Sequence, residues 1–190
     1  MTPMVLEGAR LRLRLWRAED RVPFLALNAE PAVQRYLRPM SREVLDAMLD
    51  RVEAGFAERG WGFWAVEHRA EGRLIGMCGL MPVIFEAFFT PAVEIGWRLA
   101  SRWHGQGLAR EAATLCLDAA FGPLELDRVV AFTVPANTAS WGLMRRLGMR
   151  EIGGFDHPRL PEGDALRRHV AYAITAVEWR AGRDPADRRG

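Results

Sequence analysis

Eight residues, Arg102-Trp103-His104-Gly105-Gln106-Gly107-Leu108-Ala109, constrain this chain more than any other stretch. They separate an apolar run that reads as a strand, Ala92 to Leu99, from an alanine-rich segment with helical spacing, Arg110 to Phe121. Strand, glycine loop, helix is an anion-binding order. With side chains missing at Gly105 and Gly107, backbone amides can close around a phosphate, and the first helical turn adds unpaired N–H groups and the positive end of its dipole. A pyrophosphate is the natural guest. Spacing argues against two common pyrophosphate loops. A dinucleotide fingerprint needs a third glycine where Arg110 stands, and a P-loop needs a lysine, which the sequence lacks altogether.

The loop pattern (Arg or Gln, two residues, Gly, one residue, Gly or Ala) is filled by Arg102, Gly105 and Gly107. Upstream stands Val93-Glu94-Ile95-Gly96-Trp97-Arg98-Leu99, and downstream Asn137-Thr138-Ala139-Ser140 followed by Leu147-Gly148-Met149. On these three blocks the chain resembles the GNAT superfamily of N-acetyltransferases, and in their detail the RimJ/RimL-like branch of ribosomal-protein N-terminal acetyltransferases. The resemblance runs from Leu11 to Trp179. It implies an α/β (mixed α+β) GNAT fold: a central mixed, mostly antiparallel sheet of about seven strands, with helices on both faces, splayed at the acetyl-CoA strand. It also implies acetyl-CoA as cosubstrate and direct attack by a primary amine, either a protein N-terminal α-amine or a small-molecule amine.

Composition sets bounds. A chain of 190 residues, 49% apolar, suits one domain over residues 1–180 with a polar, disordered tail over 181–190. With 26 basic and 24 acidic residues there is no clustered excess charge to suggest a nucleic-acid or membrane surface. The first 20 residues carry Glu7, Arg10, Arg12 and Arg14 where a signal peptide needs an apolar core, so a cytoplasmic protein is expected. Cys78 and Cys116 sit singly and the four His residues show no ligand spacing, so buried thiols and no metal are expected.

Taken in order, Arg10 to Leu15 alternates as a half-buried strand. Asp20 is placed to cap a helix through Asn28, and Pro31 opens another turn. Ser41 begins a helix whose Val44/Leu45, Met48/Leu49, Val52 and Phe56 recur at helical spacing until Gly60. Trp61 to His68 and Arg73 to Phe85 read as a hairpin in which Gly76 and Gly79 suggest a bulge or a close backbone approach. Phe85 to Pro91 is an aromatic loop. Arg128 to Val134 is a strand, Thr138 to Leu147 a helix ended by Gly148, and Met149 to Phe155 and Arg168 to Val177 a last strand pair.

By the family resemblance, the pantetheine arm lies along Ile95, Gly96, Trp97, Arg98 and Leu99. The pyrophosphate sits on Arg102, His104, Gly105, Gln106, Gly107, Leu108 and Ala109, with Asn137 as a further coenzyme contact. The attacking amine must be neutral, so a base is useful. Glu94 is the candidate, or else a carboxylate paired with an Arg between strands. Many members place a Tyr four residues after the Ser position to protonate the thiolate. Here that position is Met144, so Ser140 becomes the candidate acid, unless it only bonds backbone at a helix start. Asn137 has the same second reading as an N-cap. His104 reads as a loop side chain near phosphate rather than a base, and Arg102 either contacts phosphate or is solvated. Trp61, Phe63, Phe85, Phe88, Phe89 and Tyr36 suit an acceptor cleft, core packing, or the seam of a homodimer. The missing Tyr also admits a non-catalytic acyl-CoA sensor, and the loop a dinucleotide oxidoreductase, which the Arg110 mismatch disfavours.

Overall fold

A computed structural model describes residues 4–183. Among these lie eight strands: β1 (Leu6–Glu7), β2 (Leu11–Arg14), β3 (Phe63–His68), β4 (Arg73–Pro82), β5 (Val93–Leu99), β6 (Arg128–Thr133), β7 (Arg150–Asp156) and β8 (Arg168–Thr175). Six helices accompany them: α1 (Arg21–Asn28), α2 (Pro31–Gln34), α3 (Arg42–Arg59), α4 (Leu108–Phe121), α5 (Thr138–Arg146) and α6 (Ala176–Ala181). The class is α/β, as expected. The strand beyond the expected seven is β1, whose two residues are too few to carry an alternating pattern. Contacts gather the chain into two compact units: residues up to Met81 with Gly96–Cys116, and Pro82–Ile95 with Leu117 onward.

In the first unit β1, β2, β3 and β4 pair antiparallel in sequence order. The alternation read over Arg10 to Leu15 holds through Leu13, with Leu11 and Leu13 fully buried and Arg12 exposed, and then breaks, because Arg14 is buried and Leu15 is exposed. Helix α3 starts where Ser41 accepts from the Val44 N–H and stops at Gly60, whose φ of 81° is left-handed. Leu45, Leu49, Val52 and Phe56 bury one stripe, while Val44, one step off it, is exposed. Asp20 corrects an expectation: it stands at the N-cap of α1 but its side chain makes no cap bond. Its carboxylate instead holds the Arg14 guanidinium at 2.6 and 2.9 Å, and Glu67 takes Arg14 Nε at 2.6 Å, a buried ion triad. An enclosed guanidinium on β2 demands such partners, and that outweighs a cap. A side chain at Gly76 would overlap the Arg98 carbonyl, and one at Gly79 the Gly62 carbonyl, so both glycines mark close backbone approaches. Cys78 and Cys116 are buried thiols, and their sulfurs lie 3.6 Å apart.

In the second unit β6 pairs antiparallel with β8, and β8 with β7. The start of β5 pairs parallel to β6 at Val93↔Val129 and Glu94↔Val130. The next pair, Ile95 and Ala131, does not form among the described residues, so β5 and β6 part after Glu94. The aromatic loop is closed by Val83 N–H to the Ala92 carbonyl at 2.9 Å. It lays Phe85 and Phe89 against Phe132 and Phe155. Phe89 is 3% exposed and belongs to the core; Phe88 is 59% exposed. The last strand ends at Thr175, before the expected Val177, because Thr175 and Glu178 form a capping box that starts α6. Ala181, expected to open a disordered tail, is the last residue of that helix, and residues 184–190 of the expected tail lie outside the described residues.

Candidate functional site

The first unit builds the loop. A 3-10 turn over Ser101–Trp103 follows β5, and the chain then passes through Gly105 and Gly107 at φ of 74° and 76°. These left-handed values are inexpensive only for glycine. Beyond its two chain neighbours, nothing lies within 4 Å of where a Gly105 Cβ would stand, so the space there is open. The first internal bond at the helix start is Glu111 N–H to the Gly107 carbonyl. The N–H groups of Leu108, Ala109 and Arg110 therefore have no helical acceptor, as the first turn of any helix requires. Among the described residues no main-chain carbonyl takes the Gly105 or Gly107 N–H either. Amides left over at a helix start, beside bare glycines, fit a diphosphate.

Side chains brace this loop. Arg10 donates to the Gln106 carbonyl at 2.9 Å and to Glu111 at 2.7 Å, while Glu111 also accepts from the Arg10 N–H at 2.7 Å. Gln106 turns back to the Arg102 carbonyl at 2.8 Å. His104 Nε2 lies 2.9 Å from the Leu99 carbonyl, which requires the proton on that nitrogen and ties the ring to the end of β5. Arg102 is exposed, lies over Trp103 at 4.7 Å and reaches Glu71 at 3.4 Å. Arg10 was missed from sequence, where it shows only as the first outward position of an alternating strand; nothing local signals a partner 96 residues away.

On the strand, Ile95 and Leu99 are buried, while Gly96, Trp97 and Arg98 keep partial access. A side chain at Gly96 would press on the Phe63 ring at 3.1 Å. Arg98 donates to Asn28 Oδ1 and lies 3.8 Å from Met40 Sδ. Burial pulls its pKa down to about 10.

The second unit carries Glu94, Asn137 and Ser140. Glu94 is set deep in protein mass although water still reaches part of it, and it has no hydrogen-bonded or ion-paired partner among the described residues. Burial pushes its pKa up to about 7, and the positive charge of Arg159 pulls the other way. Among the described residues no Arg pairs with Glu94 to hold neighbouring strands, the second reading of that carboxylate.

Asn137 is the N-cap of α5: its Oδ1 accepts the Ser140 N–H at 3.3 Å and its Nδ2 donates to Thr133 at 3.1 Å. Both ends of the amide are engaged, which sets the backbone under Ser140. The Ser140 hydroxyl has no protein partner among the described residues. Met144 is 1% exposed, and Tyr172 gives its hydroxyl to Glu151 at 3.1 Å. Among the described residues, no three His, Cys, Asp or Glu side chains are grouped to hold a metal, and no helix is long and apolar enough to cross a membrane.

Comparison with known proteins agrees with this arrangement. The family model described as an acetyltransferase (GNAT) domain matches residues 10–150. An uncharacterized N-acetyltransferase of Bacillus subtilis, YnaD, is 28% identical over 178 residues, covering 93% of this chain and 99% of its own. The [ribosomal protein uS5]-alanine N-acetyltransferase of Escherichia coli is 30% identical over 113 residues, covering 60% of this chain and 57% of its own. The fold matches that of Mycobacterium smegmatis RimJ, solved in complex with CoA-disulfide, with a TM-score of 0.75 at 24% identity over 94% of this chain and 91% of that one.

Proposed function

The chain belongs to the GNAT family of acetyltransferases and is an acetyl-CoA-dependent N-acetyltransferase; within that activity we propose that Glu94 takes the proton from the attacking amine and Ser140 returns one to the departing thiolate. In this reading the amides of Gly105 to Arg110 hold the coenzyme's pyrophosphate and the main chain of Ile95 to Leu99 lines the arm. The acceptor is a primary amine, either a protein N-terminal α-amine or the amine of a small molecule, met in the cytoplasm.

The chemistry is one displacement. The amine nitrogen bonds to the acetyl carbon, the carbon–sulfur bond breaks, the nitrogen loses a proton and the sulfur gains one. An α-amine with pKa near 7.8 is roughly a tenth neutral at pH 7, so a nearby base raises the reactive fraction as the bond forms. A glutamate at the ordinary value of about 4.3 is a poor base for that purpose. The observation that carries the assignment is the Glu94 carboxyl, unpaired and held at about 7. On the leaving side a thiol with pKa near 8.5 departs tolerably unaided. Ser140, at the start of α5 with a free hydroxyl, refines that step.

Thiol release from acetyl-CoA, followed with a panel of peptides and small amines, is the test. Glu94→Gln is expected to lower kcat by about 100- to 10,000-fold and to remove the fall in rate below pH 7. Ser140→Ala is expected to cost less than about tenfold. Wild-type rates from Glu94→Gln across the pH range would remove Glu94 as the base.

A further inference from the structure

Arginines shielded from solvent in the first unit are met by carboxylates. Arg14 has Asp20 and Glu67; Arg21, half-buried, has Asp46, Asp50 and Glu53. Arg98 departs from this pattern. Its partners are an amide oxygen, Asn28 Oδ1, and the thioether of Met40, both neutral. No carboxylate among the described residues lies within reach of it.

The arrangement is held in place rather than accidental. Asn28 is 4% exposed, and its Nδ2 donates to the Phe24 carbonyl at 2.6 Å, which leaves Oδ1 turned to Arg98. One edge of the guanidinium is thereby oriented. Nε and Nη2 take no protein acceptor and are not sealed from solvent. A guanidinium taken out of water without a counter-charge is costly to the folded protein. Its planar pair of free donors matches a carboxylate in bidentate geometry. Arg98 reaches α1 and the segment before α3, whereas the glycine loop is braced from Arg10 and Glu111. The contacts that orient the Arg98 guanidinium are thus separate from those that Arg10 and Glu111 make to the loop, and coenzyme binding by Arg98→Gln decides whether the diphosphate uses it.

Resting on the function proposed above, we propose that Arg98, oriented by Asn28, receives a carboxylate carried by the acceptor, so that this enzyme's preferred amines are amino carboxylates. That carboxylate belongs either to a free amino acid or to an acidic residue of a peptide.

Matched acceptors decide it. Amino acids and their carboxamides, and peptides beginning with acidic residues and their Asn or Gln counterparts, are compared in wild type and in Arg98→Gln. In wild type the carboxylate member of the preferred pair is expected to lead in kcat/KM by about 10- to 100-fold, and in Arg98→Gln the ratio is expected to fall toward one. Which pair leads separates the free amino acid from the peptide. A ratio near one in wild type, or an unchanged ratio in Arg98→Gln, overturns the proposal. So does a loss of acetyl-CoA binding in Arg98→Gln by titration calorimetry, since Arg98 would then serve the coenzyme. A melting temperature for unliganded Arg98→Gln well below wild type marks a structural role and also overturns it. Binding of N-acetyl amino acids against their amides, read by thermal shift, tests the same preference without turnover. Failure of wild type to bind acetyl-CoA at all would instead sink the underlying function.

Discussion

At the scale of single residues the proposed chemistry rests on Glu94. A carboxyl held at about 7 in the folded chain, against about 4.3 when unfolded, binds its proton more tightly in the native state. Stability from that proton is complete below about pH 4.3 and is lost as pH rises through 7. Glu94→Gln removes the ionisation, so it is expected to match wild type in stability near pH 4 and to exceed it at pH 8. The gain at pH 8 is on the order of 1–3 kcal/mol, reduced from the full shift because water reaches part of the side chain. Denaturant melts of the two proteins at both pH values check this. Equal stabilities at pH 8 would place Glu94 in an ordinary, solvated environment and remove the basis for its role. None of this was legible in the sequence beyond position. The motif marks Glu94, but the raised pKa comes from burial that the fold creates, and the opposing pull of Arg159 comes from 65 positions away in a loop of no evident pattern.

Local signals carried the elements well where one segment holds the whole reason for its structure. Helix α3 was legible because Ser41, a regular apolar stripe and Gly60 all lie in its own sequence. Helix α6 was not. Its capping box, Thr175 with Glu178, falls within an apolar run that continues the strand pattern to Val177. The loop from Phe85 to Pro91 was equally ambiguous, since its three phenylalanines suit a cleft, a core or an interface. Its fate depends on Phe132 and Phe155, which other strands supply. Phe89 is the anchor, in edge-on or stacked contact with Phe85, Phe88, Phe132 and Phe155. Phe89→Ala is therefore expected to cost about 3–5 kcal/mol, the price of emptying a buried aromatic site. Phe88→Ala, at an exposed position, should cost under about 1 kcal/mol. A chemical-denaturation series separates the two, and equal losses would contradict the packing. The glycine loop calls for a different readout. Gly107 at φ 76° forces strain on any replacement, so Gly107→Ala is expected to raise KM for acetyl-CoA several-fold or more while leaving an acceptor's KM nearly constant.

Taken whole, the coenzyme site proposed above offers main-chain donors rather than a field of charge. The net charge is +2, there is no lysine, and of the arginines beside the loop Arg10 and Arg102 are already engaged with Glu111 and Glu71, while Arg110 is exposed. Affinity built from fixed amides survives salt better than affinity built from exposed cations, because short dipolar contacts are screened less than separated charges. It also adds to native stability by mass action, since an unfolded chain has no such cradle. At a hundred times its dissociation constant a ligand contributes about 2.7 kcal/mol. For a chain of this length that corresponds to a rise in melting temperature of about 5–11 °C. Acetyl-CoA is expected to produce such a rise and to keep most of it at about 0.3 M salt, whereas NADH should produce none, because Arg110 stands where a dinucleotide loop needs its third glycine. An equal rise with both nucleotides would mean that any diphosphate satisfies the loop. A rise that vanishes with salt would mean that the arginines, and not the amides of Gly105 to Arg110, do the holding.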